Sequence, residues 1–335
     1  MKRILISATA LAMLTASTAS AFATEWNVSL WGKRRAFTEH VHKLKELVEA
    51  KTDGKFKLNI AYGTLSGPKD NLDGISIGAF EMAQFCAGYH AHKNRSITVL
   101  ELPFLGITSL EQEAAVSKAV YAHQAVVEEM AAWDAILLMP TPLPQYNVIG
   151  TGEPPRKLSD YEGMTVRATG GIGEAMKAIG AVPTSTSAAE VRQAMDSGVV
   201  KAVSFAPHAH MSFGTVENAT WWTTNLNPGT LNCPVVVNSD AIGDLSPQER
   251  EALLGSVDEA MEHYITYYNE NTMNKWEPLL DEKGVERITY NPADLKEFRD
   301  KVAGPAAEKW VQKNGSRLPA QELLDLVKSE IAKEN

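Results

Sequence analysis

The sequence predicts an α/β fold in two lobes. Three observations lead there. Strand-like and helix-like segments alternate along most of the chain, a Gly- and Pro-punctuated stretch interrupts them near the middle, and the alternation then restarts. Such alternation builds mixed, mainly parallel sheets covered by helices. A chain of 335 residues is long enough for two cores.

The N-terminus is set apart from this pattern. Lys2 and Arg3 precede an apolar run, Ile4 to Leu14, and small residues lead to Ala21-Phe22-Ala23. That order is the order of a secretory signal, so residues 1–23 are expected to be a signal peptide cleaved after Ala23. No later segment approaches the roughly 20 apolar residues of a membrane span. The mature chain is therefore expected in the periplasm, soluble and not inserted in a membrane. Its formal net charge of -9 becomes more negative when Lys2 and Arg3 leave. An acidic chain of this kind is a poor partner for nucleic acid or anionic lipid, and an anionic ligand would have to be caught by local charge.

The first lobe is expected over residues 24–150. WNVSLW (26–31) reads as a strand, Phe37 to Ala50 as a helix, FKLNIAY (56–62) as a strand and NLDGISIGAF (71–80) as a helix ending near Gly78. FEMAQFCAG (80–88) follows as a strand, SITVLELPFL runs into Pro103, Leu110 to Trp133 makes one long helix, and AILLMPTPL (135–143) is a buried strand. GTGEPPRKLSDYEG (150–163) marks the passage to a second lobe over residues 151–237. There MTVRA is a strand, IGEAMKAIG a helix, AVPTSTS a short strand and loop, AAEVRQAMDSG a helix and VVKAVSFAP a strand. PVVVNSDAI (234–242) reads as a strand returning to the first lobe. Residues 238–335 then hold a long helix, Pro247 to about Leu280, and two C-terminal helices. At 1.5 Å per residue that long helix would reach about 50 Å, enough to lie across both lobes.

Motifs for chemistry are sparse. GGIGEAM follows a strand and opens a helix, but a dinucleotide fingerprint needs Gly or Ala where Met176 stands. Its amides remain able to help hold an anion. Three His-x-His pairs occur: His40/His42, His90/His92 and His208/His210. Two apart on a strand they would share a face, as a zinc site wants, yet His40 and His42 fall in a helical stretch where they diverge. H-E-x-x-H and C-x-x-C are missing, so binding without turnover is favoured over catalysis, with no cofactor required. Cys86 and Cys233 stand in apolar surroundings; an exported chain could join them or bury both as free thiols, and the spacing leaves this open.

Arg167 is the residue the pattern singles out. In MTVRATGG (164–171), Met164, Val166 and Ala168 share one side of an extended strand and Thr165, Arg167 and Thr169 the other. An arginine there either points into water or is held over a cleft to catch a carboxylate.

KLSDYEGMTVRATGG, continued by AIGAVPTSTSAAEVRQAMDSGVVKAVSFAP, resembles the signature of the substrate-binding proteins of TRAP transporters, the DctP-like family. The likeness extends over nearly the whole mature chain. TLSGPKDNLDGISIGAFEMAQF and LELPFL are similar to the family's first-lobe segments, and PVVVNSDAIGDLSPQEREAL to its return strand and long helix. The resemblance implies a two-lobed periplasmic binding protein fold of type II with a long helix spanning both lobes. It implies capture of a small organic acid in the cleft and delivery to the small and large membrane subunits of a TRAP permease. Arg167 falls on the family's arginine, which holds the ligand carboxylate as a bidentate salt bridge.

Departures from the family pattern point to the ligand. Phe205 stands where an asparagine often meets the ligand. Ala188 replaces a bulky aromatic two before Glu190, and Asn147, with Gln145 on the same strand side, stands where a second basic residue often lies. Trp31 and Tyr89 fall where the family builds its cleft, and Thr169 and His208 are placed beside it. One positive clamp among aromatic walls suits a monocarboxylate with an apolar or aromatic body, because ring burial is worth ~25 cal/mol per Å². A betaine-like or sulfonium zwitterion caged by Trp31, Tyr89 and Phe205 is the competing expectation. A periplasmic metal-binding protein using the His-x-His pairs is the alternative from a different class.

Overall fold

The computed structural model describes residues 23–333, so the expected signal peptide lies, up to its last residue, outside the described residues. In chain order the first elements are β1 (Thr24–Leu30), α1 (Glu39–Lys51), β2 (Phe56–Tyr62), α2 (Asn71–Ser76) and β3 (Met82–Gln84). They are followed by α3 (Leu110–Tyr121), α4 (Gln124–Ala131), β4 (Ala135–Met139), β5 (Asn147–Gly150) and β6 (Thr165–Arg167). Next come α5 (Gly170–Ala178), β7 (Val182–Thr184), α6 (Val191–Asp196), β8 (Ala202–Phe205), α7 (Pro207–Ser212) and β9 (Trp221–Thr223). The chain closes with β10 (Val235–Asn238), α8 (Ser239–Asp244), α9 (Pro247–Leu254), α10 (Val257–Tyr267), α11 (Asn274–Glu282), β11 (Glu286–Ile288), α12 (Pro292–Asn314) and α13 (Ala320–Ala332).

Two mixed sheets form. The first runs β2-β1-β3-β10-β4 and the second β11-β9-β5-β8-β6-β7. Each is parallel except for one strand. β10 is antiparallel to β3 and β4, and β5 is antiparallel to β8 and β9. These odd strands are the two that arrive from the other lobe, β4 leading across to β5 and β9 leading back to β10. A strand entering its sheet from outside, without a covering helix to turn it round, arrives antiparallel. The two crossing segments are tied together, with the Tyr146 amide donating to the Gly229 carbonyl at 2.8 Å and the Thr230 hydroxyl to the Leu143 carbonyl at 3.2 Å.

Local pattern explains most elements. Trp26, Val28 and Leu30 alternate into the core from β1, and Val41, Leu44 and Val48 bury one face of α1. Ser109 caps α3, its side chain accepting from the Gln112 amide at 3.0 Å. Ser246 and Glu249 form a reciprocal capping box before α9, with Pro247 in the first turn.

Three expectations are corrected in extent. Leu110 to Trp133 is two helices, because the chain turns at Ala122 and His123 caps the second, its Nδ1 accepting from the Ala125 amide at 3.2 Å. FEMAQFCAG contributes just the three residues of β3 to a strand. Pro247 to Leu280 breaks at Gly255-Ser256, after which α10, a π-helical turn (Tyr268–Met273) and α11 run on without interruption. That continuous helix does reach both lobes. Tyr264 packs against His40 of the first and donates to the Pro142 carbonyl, while Trp276 stacks on His210 of the second.

Candidate functional site

Four parallel strands, β1 and β3 of the first sheet and β6 and β8 of the second, lead to one interlobe cavity, the usual place for ligands in open α/β sheets. Trp31 follows β1, Tyr89 follows β3, Arg167 ends β6 and Phe205 ends β8, and all four line this cavity of about 30 Å³. His208 and Ala188 line it as well, together with the sulfurs' residues Cys86 and Cys233, which are joined in a disulfide.

Arg167 is 1% exposed. Its Nε donates to the Thr186 carbonyl at 2.9 Å and its Nη2 to the Tyr89 hydroxyl at 3.0 Å. The guanidinium carbon lies 4.6 Å from the Phe205 ring centroid. Thus Phe205, in the place of an asparagine, supports the flat face of the arginine instead of offering an amide. Nη1 is buried and has no acceptor, and among the described residues no carboxylate stands within salt-bridge distance of this side chain. A buried cation so placed is costly until an anion joins it. The Tyr89 oxygen also accepts from the Ala188 amide at 3.1 Å, so one first-lobe hydroxyl fixes two second-lobe groups.

His208 stacks on Phe37 with centroids 5.5 Å apart and shares a 2.8 Å hydrogen bond with the Tyr268 hydroxyl. Burial holds its pKa well below the ordinary histidine value, so it lines the cavity as a neutral ring. The π-helical turn brings Tyr268 to it, a use of such turns near functional sites that recurs.

Not every expected residue is in this cavity. Thr169 lines a neighbouring space of about 340 Å³ between Glu101, the start of α5 and α12. Gln145 donates to the Ile107 carbonyl at 3.0 Å and borders a different surface recess. Asn147 is saturated inside the second lobe. Its Oδ1 accepts from Thr223 Oγ1 at 3.1 Å and the Leu226 amide at 3.0 Å, and its Nδ2 donates to Asn227 Oδ1 at 2.7 Å. The paired histidines are likewise engaged singly: His40 with Thr141 at 2.9 Å and His210 with Thr215 at 2.7 Å. Among the described residues no group of three or more His, Cys, Asp or Glu side chains could hold a metal ion.

Sequence reasoning missed Arg35, Phe37, Tyr146 and Phe213, all of which line the cavity. The expectation of a single positive clamp is therefore corrected, because Arg35 is a second guanidinium in the same space. Its available signal was position: it follows the carboxyl end of β1 by five residues, within reach of the cleft.

This geometry has company among known proteins. The family model described as bacterial extracellular solute-binding protein, family 7 (DctP) matches residues 28–313. The chain belongs to that family. Among curated relatives, the outer membrane transporter protein TsaT of Comamonas testosteroni is 23% identical over 86% of this chain and 85% of its own. The ectoine-binding periplasmic protein TeaA of Halomonas elongata is 21% identical over 81% of this chain and 79% of its own. Among solved structures, the Bordetella pertussis extracytoplasmic solute receptor DctP7, which binds pyroglutamic acid, superposes with a TM-score of 0.80 at 20% identity, covering 91% of this chain and 100% of that one. A TRAP solute-binding protein of Bordetella bronchiseptica with bound (R)- and (S)-mandelate gives 0.81 at 19% identity, covering 93% and 100%. The family 7 chain is thus a TRAP extracytoplasmic solute receptor with a two-lobed fold, a binding component of a transporter and not an enzyme. Such receptors hand small organic ligands to membrane permease components, and among the described residues of this one no helix is long and apolar enough to cross a membrane.

Proposed function

We propose that this receptor captures a small organic monocarboxylate with an apolar or aromatic body in the periplasm, after removal of its signal peptide, and delivers it to its TRAP permease subunits. The observation that carries the reading is Arg167: a buried guanidinium at the end of β6, held by Thr186 and Tyr89, with one nitrogen unpartnered at the cavity. Two contacts fix the fork so that the remaining N–H groups face an incoming carboxylate already oriented. The aromatic walls suit a ring or branched chain and offer few hydroxyl partners for a sugar acid. Mandelate and pyroglutamate, bound by proteins of the same fold, are of this size class.

The zwitterion reading loses ground at the same walls. Phe205 already carries the Arg167 guanidinium at 4.6 Å, Trp31 has that of Arg35 at 5.6 Å and Tyr89 has the Lys69 ammonium at 5.8 Å, so the three rings a quaternary ammonium would need already face cations. Mass spectrometry of whatever co-purifies, followed by thermal shift with benzoates, aliphatic acids and betaines, tests the reading. Stabilisation by an acid of this kind is expected; stabilisation by betaines or by a sugar acid alone would overturn it.

A further inference from the structure

The second guanidinium of the cavity, Arg35, has no charge to balance it. Its neighbour Arg34 is paired with Glu39 through two nitrogens at 2.8 and 2.9 Å. Arg35 turns the other way, into the cleft. Nη1 donates to the carbonyls of Trp31 at 2.7 Å and Lys33 at 3.0 Å, while Nε is buried with no acceptor. The guanidinium lies over Phe37, Phe213 and Trp31 at 4.7, 5.2 and 5.6 Å. Burial pushes its pKa down to about 10, which leaves it charged at neutral pH. Among the described residues no carboxylate stands within salt-bridge distance of either cavity arginine, and both side chains line the same small interlobe cavity. Two like charges brought together in a closed, poorly solvated space repel, and an anion between them reverses the sign.

We propose that Arg35 is an anion-binding residue of the cleft, the first lobe's counterpart to Arg167, and that one carboxylate head is shared between Arg35 Nε and Arg167 Nη1. This deepens the proposed function and rests on its reading of Arg167. The unpartnered nitrogens come from opposite lobes and a carboxylate has two oxygens, so one group can satisfy both and hold the lobes together. Closure then depends on ligand charge: a neutral analogue leaves both guanidiniums without a counter-charge, and a cationic head adds to the repulsion. The proposal selects for a compact oxyanion head with an uncharged body.

Isothermal titration of the mature protein with benzoate, (R)-mandelate and L-pyroglutamate, each beside its primary amide, tests it in the native chain and in Arg35→Met, Arg35→Lys, Arg35→Gln and Arg167→Met. Native protein is expected to take at least one acid and none of the amides. Arg35→Met and Arg167→Met should each weaken that acid about 10- to 100-fold, with Arg35→Lys recovering part of the loss. Arg35→Gln keeps a donor for the Trp31 carbonyl and should lose affinity while its unliganded melting temperature stays near native, which a purely structural arginine would not do. Native affinity in Arg35→Met and Arg35→Gln with loss in Arg167→Met would overturn the inference and leave the proposed function standing. If Arg35→Met leaves the three monocarboxylates at native affinity and weakens only malate, a dicarboxylate titrated in parallel, Arg35 holds a separate group and the shared head is wrong. Indifference of the native protein to all three acids, or of Arg167→Met, would bring down the proposed function and the inference with it.

Discussion

The Tyr89 hydroxyl, from the first lobe, accepts a hydrogen bond from Arg167 Nη2, in the second, at 3.0 Å. The same oxygen accepts from the Ala188 amide at 3.1 Å. This one atom therefore sets the pose of the arginine and bridges the lobes in the closed arrangement. Tyr89→Phe removes the oxygen and keeps the ring. The two donors lose their acceptor, and at about 0.5–1.5 kcal/mol per neutral hydrogen bond and 1.5–3 for one to a charged group, ligand affinity should fall roughly 10- to 100-fold. Titration calorimetry with the ligand found by mass spectrometry checks this. Unchanged affinity would mean that Arg167 holds its pose without Tyr89.

Arg167→Lys keeps the charge and loses the plane. A lysine cannot donate to the Thr186 carbonyl, to Tyr89 and to the ligand in one fixed fork. Affinity should drop by more than tenfold, nearly as far as in Arg167→Ala, where hydrogen bonds to a charged group are lost outright. A lysine variant binding as tightly as native would show that charge alone suffices.

What the sequence made legible was what depends on local pattern. Alternation gave both sheets and the return of β10, but strand position left Arg167 facing either water or a cleft; it was the resemblance to the DctP-like family that put Arg167, Trp31, Tyr89 and Phe205 at one place, with His208 beside them. Arg35 was hidden because Lys33-Arg34-Arg35 looks like a solvated run. Which of its arginines turns inward is decided by Phe213, far along the chain, and by Glu39 engaging Arg34. Asn147 was judged by its offset from the arginine, but it opens the antiparallel β5, where the loop after β9 (Leu226, Asn227) absorbs its hydrogen bonds. Helix breaks at His123 and Gly255 were invisible to periodicity, which continues in phase across a short turn.

Gly171 tests closure without touching the ligand. A Cβ there would sit 1.9 Å from the Glu101 carbonyl oxygen and 2.8 Å from Pro103, backbone and ring of the first lobe that cannot swing aside. An open cleft would tolerate the methyl group and the closed one would not. Overpacking costs about 1–3 kcal/mol, so Gly171→Ala should weaken binding roughly 10- to 100-fold while small-angle scattering shows a larger open fraction with ligand present. Native affinity and native scattering would show that this contact is not part of closure.

Cys86 follows β3 and Cys233 precedes β10, and their disulfide at the cavity wall closes a loop of 147 residues that takes in β4 to β9. Such a bond typically adds about 2–4 kcal/mol, in large part by restricting the unfolded chain. Cys86→Ser with Cys233→Ser should lower the unfolding free energy by that much, read as a lower denaturant midpoint. Ligand affinity under folding conditions should move less than threefold, since the Phe85 amide still donates to Pro234 and that of Ala87 to Asn232. A midpoint identical to native would show that the bond constrains nothing.

Glu101 makes stability depend on pH. It is buried between the lobes, where its Oε1 accepts from the amides of Gly88 at 3.1 Å and Asn232 at 3.2 Å. Burial raises its pKa to about 7 against the lowering effect of those two donors. The folded chain therefore holds this proton more tightly than the unfolded chain, whose carboxyl titrates near 4.5. The stabilisation is complete below that value, declines as pH rises toward 7 and is gone above it, to the extent of about 3 kcal/mol. Glu113, whose pKa burial also raises, contributes in the same direction to native and variant alike and cancels in their difference. Glu101→Gln imitates the protonated state and its amide oxygen can keep both backbone donors. Denaturant titrations from pH 5 to 8 should show the native chain losing stability across that window relative to the variant, which becomes the more stable of the two above pH 7. Parallel curves would mean that Glu101 is already ionised in the folded protein throughout.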